Sequence, residues 1–358
     1  MKTTMKLLVA AVLTLNFELQ TFNCEAQDMH FSQFTMTPLQ LDPSQAGKFG
    51  GDQRVIINYR DQWSSVTNNP FRTYGASVDM HLNKKARKDN FFGIGVTVYS
   101  DKAGDLALGT TLFNASVAYH IKLDQSSYLS AGVKGGIMQS SLSLSDLRFD
   151  SQFDGTGHNG ALASGETFAQ TSSSNPDFAV GLSYTWGTNT STKVMSNNGY
   201  DGKKVNVGAS VHHVSSPNYS FIKGQSDGLN LKYILHANTS FGVEGTNMAI
   251  QPSGFVQYQG GATNIVVGTF FRYNLKEKSK YSQFSNGAAL SLGTHYRFGD
   301  AFIPSILIET GSFAFGVSYD FNLSGLSTAS NGQGGYELSI RYINPNPFGV
   351  RKSQARFF

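Results

Sequence analysis

Residues 312–322, Ser312-Phe313-Ala314-Phe315-Gly316-Val317-Ser318-Tyr319-Asp320-Phe321-Asn322, alternate apolar with small or polar side chains without a break. Successive side chains of a β-strand point to opposite faces, so this segment makes one greasy face and one wet face. The rhythm recurs from about residue 53 to residue 343. Near residues 71–82, Arg72, Tyr74, Ala76, Val78, Met80 and Leu82 alternate with Thr73, Gly75, Ser77, Asp79 and His81. Near 230–243, Leu231, Tyr233, Leu235, Ala237, Thr239, Phe241 and Val243 oppose Lys232, His236, Asn238 and Ser240. Many such strands with almost no helical pattern predict an all-β chain, a transmembrane antiparallel β-barrel whose two faces meet different solvents.

Counting by alternation gives fourteen strands, near 53–60, 71–82, 91–100, 109–122, 127–140, 177–187, 204–214, 230–243, 247–259, 263–274, 284–298, 301–309, 311–322 and 335–343. Boundaries read this way slip by a few residues, and twelve or sixteen strands also fit the pattern. The outward set is rich in Phe, Tyr, Val and Leu, with Tyr often at strand ends, where an aromatic girdle belongs. The inward set is rich in Gly, Ser, Asn and Lys and suits a hydrated or partly filled lumen.

Composition agrees. Charged residues are 15% of the 358-residue chain, against roughly 25% in ordinary soluble domains. Gly (38), Phe (27) and Tyr (16) are abundant. Beyond the N-terminal leader, no apolar run approaches the roughly 18 residues of a membrane-spanning helix. The net charge of +4 is small and scattered, which argues against nucleic acid as a partner.

Residues 1–26 read as a secretory signal peptide: Lys2 and Lys6, an apolar Leu7-to-Leu15 segment, and a small residue, Ala26, before the cut. Lipidation at Cys24 is the alternative, but Thr21-Phe22-Asn23 lacks the small residue expected before a lipidated cysteine. Cleavage after Ala26 removes the one cysteine and with it any disulfide or thiolate metal site. Residues 27–52, with Pro38, Pro43, Gly47, Gly50 and Gly51, fall outside the rhythm and are expected to form a periplasmic arm or a lumen plug. The barrel is expected over 53–343 and a basic periplasmic tail over 344–358. An even strand count puts both ends of the barrel in the periplasm. The long gaps 141–176, 215–229 and 323–334 then lie outside the cell, and the short links 123–126, 244–246 and about 310 lie inside. The exception is 188–203, a long polar link on the short-turn side: a functional turn or a miscounted strand.

Signals for chemistry are weak. His212 and His213 are adjacent, so on a strand they point to opposite faces and no metal site is expected; no other His spacing suggests one. No serine stands in Gly-x-Ser-x-Gly, although a cross-strand Ser-His pair remains open. Gly93-Ile94-Gly95 and Gly260-Gly261 read as strand kinks that let a barrel curve. The acidic stretch containing Asp146, Phe149, Asp150, Gln152 and Phe153 lacks EF-hand spacing and reads as a loop packing on the rim or on a partner. Asn58-Tyr59-Arg60-Asp61-Gln62-Trp63 mixes a charge pair with a Trp at a strand end, an interfacial anchor or a partner contact. No catalytic residue, cofactor or metal is assigned.

The order and spacing of several boxes resemble the PorP/SprF family of outer-membrane proteins, associated with type IX secretion and gliding in Bacteroidetes. They are His30-Phe31-Ser32-Gln33-Phe34 with Pro38-Leu39, Asp42-Pro43-Ser44-Gln45-Ala46-Gly47, Asn58-Tyr59-Arg60-Asp61-Gln62-Trp63, Phe71-Arg72-Thr73-Tyr74, Ser77-Val78-Asp79, Asp150-Ser151-Gln152-Phe153, Pro176-Asp177-Phe178, Val207 to His213, Pro217 to Phe221 and Gly335-Tyr336-Glu337-Leu338-Ser339. Asp42 stands where members more often carry Asn. The resemblance implies a barrel without catalytic activity, integral to the outer membrane. Its implied partners are membrane lipid, the C-terminal domain of a secreted adhesin or other cargo, and a periplasmic OmpA-like peptidoglycan-binding protein. The residues expected to touch partners are Phe31, Phe34, Pro38, Asp42, Pro43, Arg60, Asp61, Trp63, Asp146, Phe149, Asp150, Gln152 and Phe153. A passive porin or a channel for hydrophobic compounds is the alternative.

Overall fold

The structure, a computed structural model, describes residues 28–67, 69–82, 90–104, 108–143, 148–165, 171–188, 202–221, 227–276, 287–325 and 327–344. Fourteen strands form one closed antiparallel barrel: β1 (Gln53–Gln62), β2 (Phe71–Leu82), β3 (Phe91–Ala103), β4 (Leu108–Lys122), β5 (Ser127–Ser141), β6 (Ser172–Gly187), β7 (Lys203–His212), β8 (Lys232–Gly242), β9 (Met248–Gln259), β10 (Ala262–Lys276), β11 (Ala288–Arg297), β12 (Ala301–Thr310), β13 (Phe313–Asn322) and β14 (Gln333–Asn344). Each strand pairs with its sequence neighbours. β14 closes the cylinder on β1, with Gln53 opposite Asn344 and Gln62 opposite Gly335. Closure leaves no strand edge in the apolar layer, where an unpaired backbone group would cost several kcal/mol.

The sequence alternation becomes an inside and an outside. Along β2, Tyr74, Ala76, Val78 and Leu82 are exposed, while Thr73, Gly75, Ser77, Asp79 and His81 are buried. Leu235 (61% exposed) and Val133 (58%) belong to a belt of outward Val, Leu, Ile, Phe and Tyr that circles the barrel. Such exposure would be costly in water and is favourable in hydrocarbon. Inside lie Ser, Asn, His and paired charges.

The two longest links, 142–171 after β5 and 213–231 after β7, lie at one end of the barrel, with 323–332 after β13. We call this the loop end. The opposite, terminal end holds the start of β1 and the end of β14. The link 188–202, also at the terminal end, joins two strands of an unbroken ladder, so no strand was miscounted; its residues 189–201 lie outside the described ones. Two other expectations change. β6 starts at Ser172, not near 177, because its first residues pair with β5 up to Ser141. Gly260 and Gly261, at φ 54° and 88°, form a tight hairpin between β9 and β10 and not a kink; this left-handed pair matches the twist of the flanking strands.

Residues 28–52 run through the lumen. Three short helical turns, Phe34–Met36, Pro38–Leu41 and Pro43–Gln45, let the chain descend while satisfying its own backbone groups. The descent begins at the loop end, where Asp28 meets Lys232, and ends at the terminal end, where the Asp52 amide donates to Asn344 O. Apolar arm residues find apolar patches in the polar wall: Phe31 packs with Tyr99, Leu112, Met138 and Leu229, and Phe34 with Leu41, Ile234, Phe255 and Val266. Each such burial contributes about 1.5–3 kcal/mol.

Candidate functional site: the luminal arm, its clasps and the outer loops

Three polar clasps hold the arm. At the loop end, Asp28 is paired with Lys232 and lies 3.3 Å from His213 Nε2, while His213 Nδ1 lies 3.0 Å from Asp177. Burial alone would raise the Asp28 carboxyl, yet the Lys232 ammonium and His213 hold it well below the usual carboxylate range. Burial opposes the charged form of His213, and the carboxylates of Asp177 and Asp28 raise it above the ordinary imidazole value. The neighbouring His30 is driven well below that value by burial and by Arg60 and Arg297.

In the second clasp, Glu337 accepts the Ser32 amide at 2.6 Å and the Gln33 amide at 2.8 Å. Arg60 Nε lies 3.2 Å from the same carboxylate, its Nη2 lies 3.3 Å from Asp320, and its Nη1 donates to His30 O. Arg297 reaches Asp320 at 3.1 Å, and the Ser32 hydroxyl donates to Asp320 at 2.8 Å. Arg60 and Glu337 face each other across the β1–β14 pair.

The third clasp centres on Asp42, fully buried. Its Oδ1 caps the Ser44 amide at 2.7 Å and its Oδ2 meets His236 Nε2 at 2.9 Å. Below it the Gly47 amide donates to Asp79 at 2.8 Å, and Arg54 grips the same carboxylate at 2.8 and 2.7 Å.

The wall is cut back where the arm passes. A Cβ added at Gly93 would stand 1.9 Å from Ala46 O, one at Gly132 2.4 Å from the Ser44 amide nitrogen, one at Gly181 2.0 Å from Asp42 Oδ1 and one at Gly208 2.7 Å from Asp42 Oδ2. Gly93 and Gly95, expected as kinks, are therefore clearance: Gly95 makes room for Leu39.

The expected contact residues fall into three places. Phe31, Phe34, Pro38, Asp42, Pro43 and Arg60 come together in the lumen; all except half-buried Pro38 are buried within the chain. Arg60 and Asp61 do not pair, because neighbours on a strand face opposite ways. Asp61 points outward to Arg72, 3.2 Å away and half-exposed, beneath Tyr59, whose hydroxyl donates to Asp61 at 3.1 Å. Trp63, at φ 62°, ends β1 at the loop-end rim with its ring edge-on to Phe71. Phe149, Asp150, Gln152 and Phe153 lie in the outer loop, and Asp146 lies outside the described residues. That loop holds itself together: Phe153 bridges His158, Gln152 Nε2 donates to Leu162 O at 3.0 Å, and Asp154 accepts the Thr156 and Gly157 amides, each at 3.0 Å. These donors lower the Asp154 carboxyl below its ordinary value. Asp150 and Phe153 are exposed.

Sequence reasoning missed Glu337, Asp320, Arg297, His236 and Arg54 as arm ligands, and Asp177 as the partner of His213. The available signal was a charge at an inward position of a membrane strand, which is costly unless paired. The two adjacent histidines also differ from expectation. His213 adopts φ 58°, so both rings are buried, with centroids 6.4 Å apart. Their nitrogens are already engaged, those of His212 with Ser210 and Lys134. Ser-His pairs do occur, at Ser210–His212 (3.0 Å), His120–Ser130 (2.8 Å) and Ser253–His295 (2.9 Å). In none of them does the other ring nitrogen meet a carboxylate among the described residues. His212 faces Lys134 Nζ and His120 faces Ala46 O, so the orienting acid of a nucleophile-activating triad is missing.

The sequence pattern of the type IX secretion system membrane protein PorP/SprF matches residues 23–342. The chain belongs to this family. PorP/SprF membership and the barrel make the protein an integral outer-membrane protein; in such barrels long loops face outward and short turns the periplasm, which is the orientation expected for the loop end and the terminal end. No curated protein sequence matches this PorP/SprF chain. Its structure is similar to the CymD monoaromatic hydrocarbon channel (10% identity, 86% of this chain and 92% of that one, TM-score 0.45). It is also similar to the translocator domain of the autotransporter NalP from Neisseria meningitidis (10%, 86% and 94%, TM-score 0.37). A third similarity is to Omp33 from Acinetobacter baumannii (10%, 82% and 99%, TM-score 0.37). Likeness this remote says nothing of function.

Proposed function

We propose that the protein is a non-enzymatic accessory barrel of type IX secretion. It holds a secreted adhesin or other cargo by that cargo's C-terminal domain at the cell surface, and ties the outer membrane to a periplasmic peptidoglycan-binding partner. The observation that carries this reading is the filled lumen. An arm fixed by three clasps suits a holder better than a conduit, so a passive porin is the weaker reading. The self-bonded outer loop, with exposed Asp150 and Phe153, offers cargo a preformed surface at the same end of the barrel as Trp63. In this reading, residues 1–26 are removed on export and 344–358 remain in the periplasm.

Deleting 150–163 with a short glycine bridge, while the barrel still assembles, should release surface cargo into the medium. Unchanged retention would remove the loop from the proposal. The purified protein should also stay closed in a planar bilayer, and steady conductance by the intact chain would favour the porin.

A further inference from the structure

The periplasmic half of the lumen holds a second constellation that the arm covers only in part: Arg54 donates to Gln45 O and lies 4.7 Å over the Phe49 ring, and Arg341 reaches Met36 Sδ. At this depth the arm's Pro43–Gln45 turn lies against β4 to β6, and the inward Asn238, Ser240, Gln251 and Ser253 of β8 and β9 remain half-buried. Around this space stand Lys48 from the arm, Arg54 near the start of β1, Lys204 near the start of β7, Arg272 of β10 and Arg341 of β14. Lys204 lies within electrostatic reach of Lys48, Arg54 and Arg341, and Arg341 within reach of Arg54 and Arg272. Among the described residues three carboxylates answer these five cations, Asp42 acting on Lys48 from a distance while it pairs with His236. Asp79 is gripped by Arg54, and Glu309 is shared by Arg272 at 2.6 Å and Arg341 at 2.8 Å. Lys48 donates to the Ser183 hydroxyl at 3.0 Å, and neither it nor Lys204 makes an ion pair among the described residues. Two buried donors, Gln45 Nε2 and Asn274 Nδ2, have no acceptor among the described residues. The group is therefore over-supplied with positive charge and with N–H.

We propose that this vestibule receives an acidic peptide segment of a periplasmic partner. The inference rests on the periplasmic-partner reading above and names the chemistry of that contact. β7 and β14 are seven strands apart in a ring of fourteen, on opposite walls, so an extended chain of carboxylates spans the cations better than one small oxyanion. The polar side chains of β8 and β9 suit a peptide backbone. A phospholipid headgroup is kept out by the closed wall. The protein's own tail is the wrong sign, with Arg351, Lys352 and Arg356 and no acidic residue.

The test uses the whole mature protein in phosphatidylcholine nanodiscs and a fluorescein-labelled poly-glutamate decapeptide read by anisotropy. Saturable binding is expected, weakened roughly tenfold or more by Lys204→Glu and also by Lys48→Gln, and left unchanged by Lys203→Gln on the exposed neighbour. Raising salt to about 1 M, where charges are screened beyond roughly 3 Å, should abolish it. Equal binding of a poly-glutamine decapeptide, no effect of K204E, or displacement by inorganic phosphate at matched charge would each overturn the inference. In-cell cross-linking separates the two readings. A wild-type barrel that captures no periplasmic protein overturns the partner assignment, and capture unchanged by K204E overturns the acidic-segment inference.

Discussion

Glu337→Ala should unseat the arm. The wild-type carboxylate accepts two arm amides, from Ser32 at 2.6 Å and Gln33 at 2.8 Å, and faces the Arg60 guanidinium at 3.2 Å. The cluster is balanced, with Arg60 and Arg297 against Glu337 and Asp320. Its members are almost entirely shielded from water. Truncation leaves Arg60 with Asp320 at 3.3 Å as its nearest acid and orphans two buried N–H groups. Breaking a buried pair from one side costs about 3–5 kcal/mol. At about 1.4 kcal/mol per decade, the seated-to-released ratio falls by roughly two to four orders of magnitude. Released arm admits water, so the assay is planar-bilayer conductance together with protease sensitivity of residues 28–50. E337A should flicker open and be clipped, and E337Q, which keeps an acceptor oxygen, should fall between it and the wild type. A variant lacking 28–50 supplies the fully open reference. If E337A stays closed and protected while the deletion variant conducts, the clasp does not hold the arm.

Three further outcomes follow from the same geometry. Gly132→Val places a Cβ 2.4–2.6 Å from the backbone of Pro43 and Ser44, so it should open the barrel, whereas Gly135→Ala, which meets only the Phe178 ring at 3.1 Å, should stay closed; conductance separates them. Because His213 is held above 6.5, its contribution is complete below that pH and is lost as pH rises through the folded value, while the Asp28 contribution persists until acid well below 3.8; His30, held low, works the opposite way below 6.5. Histidine NMR should thus show one ring titrating above 6.5 and another staying neutral far below it, and His213→Gln should abolish any alkaline rise in proteolysis of the arm. Burial, with Lys204 nearby, brings the Lys48 amine down to about 7 despite Asp42, so decapeptide binding should weaken as pH rises from about 6 to 8, and Lys48→Arg should flatten that slope in the anisotropy titration.

The barrel was legible because each strand lies between two solvents, which writes a period of two into every segment. Phe313 to Phe321 state it unambiguously, and each of the fourteen segments became a strand. The arm's clasps were not legible, because nothing local marks a partner some 300 positions away: Glu337 and Ser32 are 305 residues apart. Gly93 looked like a flexible joint because a sequence cannot distinguish a residue that bends a strand from one that yields space to another segment. The Arg60-Asp61 neighbours looked like an ion pair because charge attracts notice before strand alternation does. The outer loop's hydrogen bonds depend on Asp154 and Gln152 meeting backbone groups, which polar composition alone does not reveal.

Arg60 and Glu337 sit directly opposite on the first and last strands, and the same carboxylate accepts two amides of the arm. The final stitch of the cylinder is thus charged, and it is completed only when the N-terminal segment is already inside. The seam registers whether that segment is in place: the two terminal strands pair through their backbones, but the charges facing each other across them are fully answered only with the segment inside. A cylinder closed on an empty bore would leave Glu337 short of two donors.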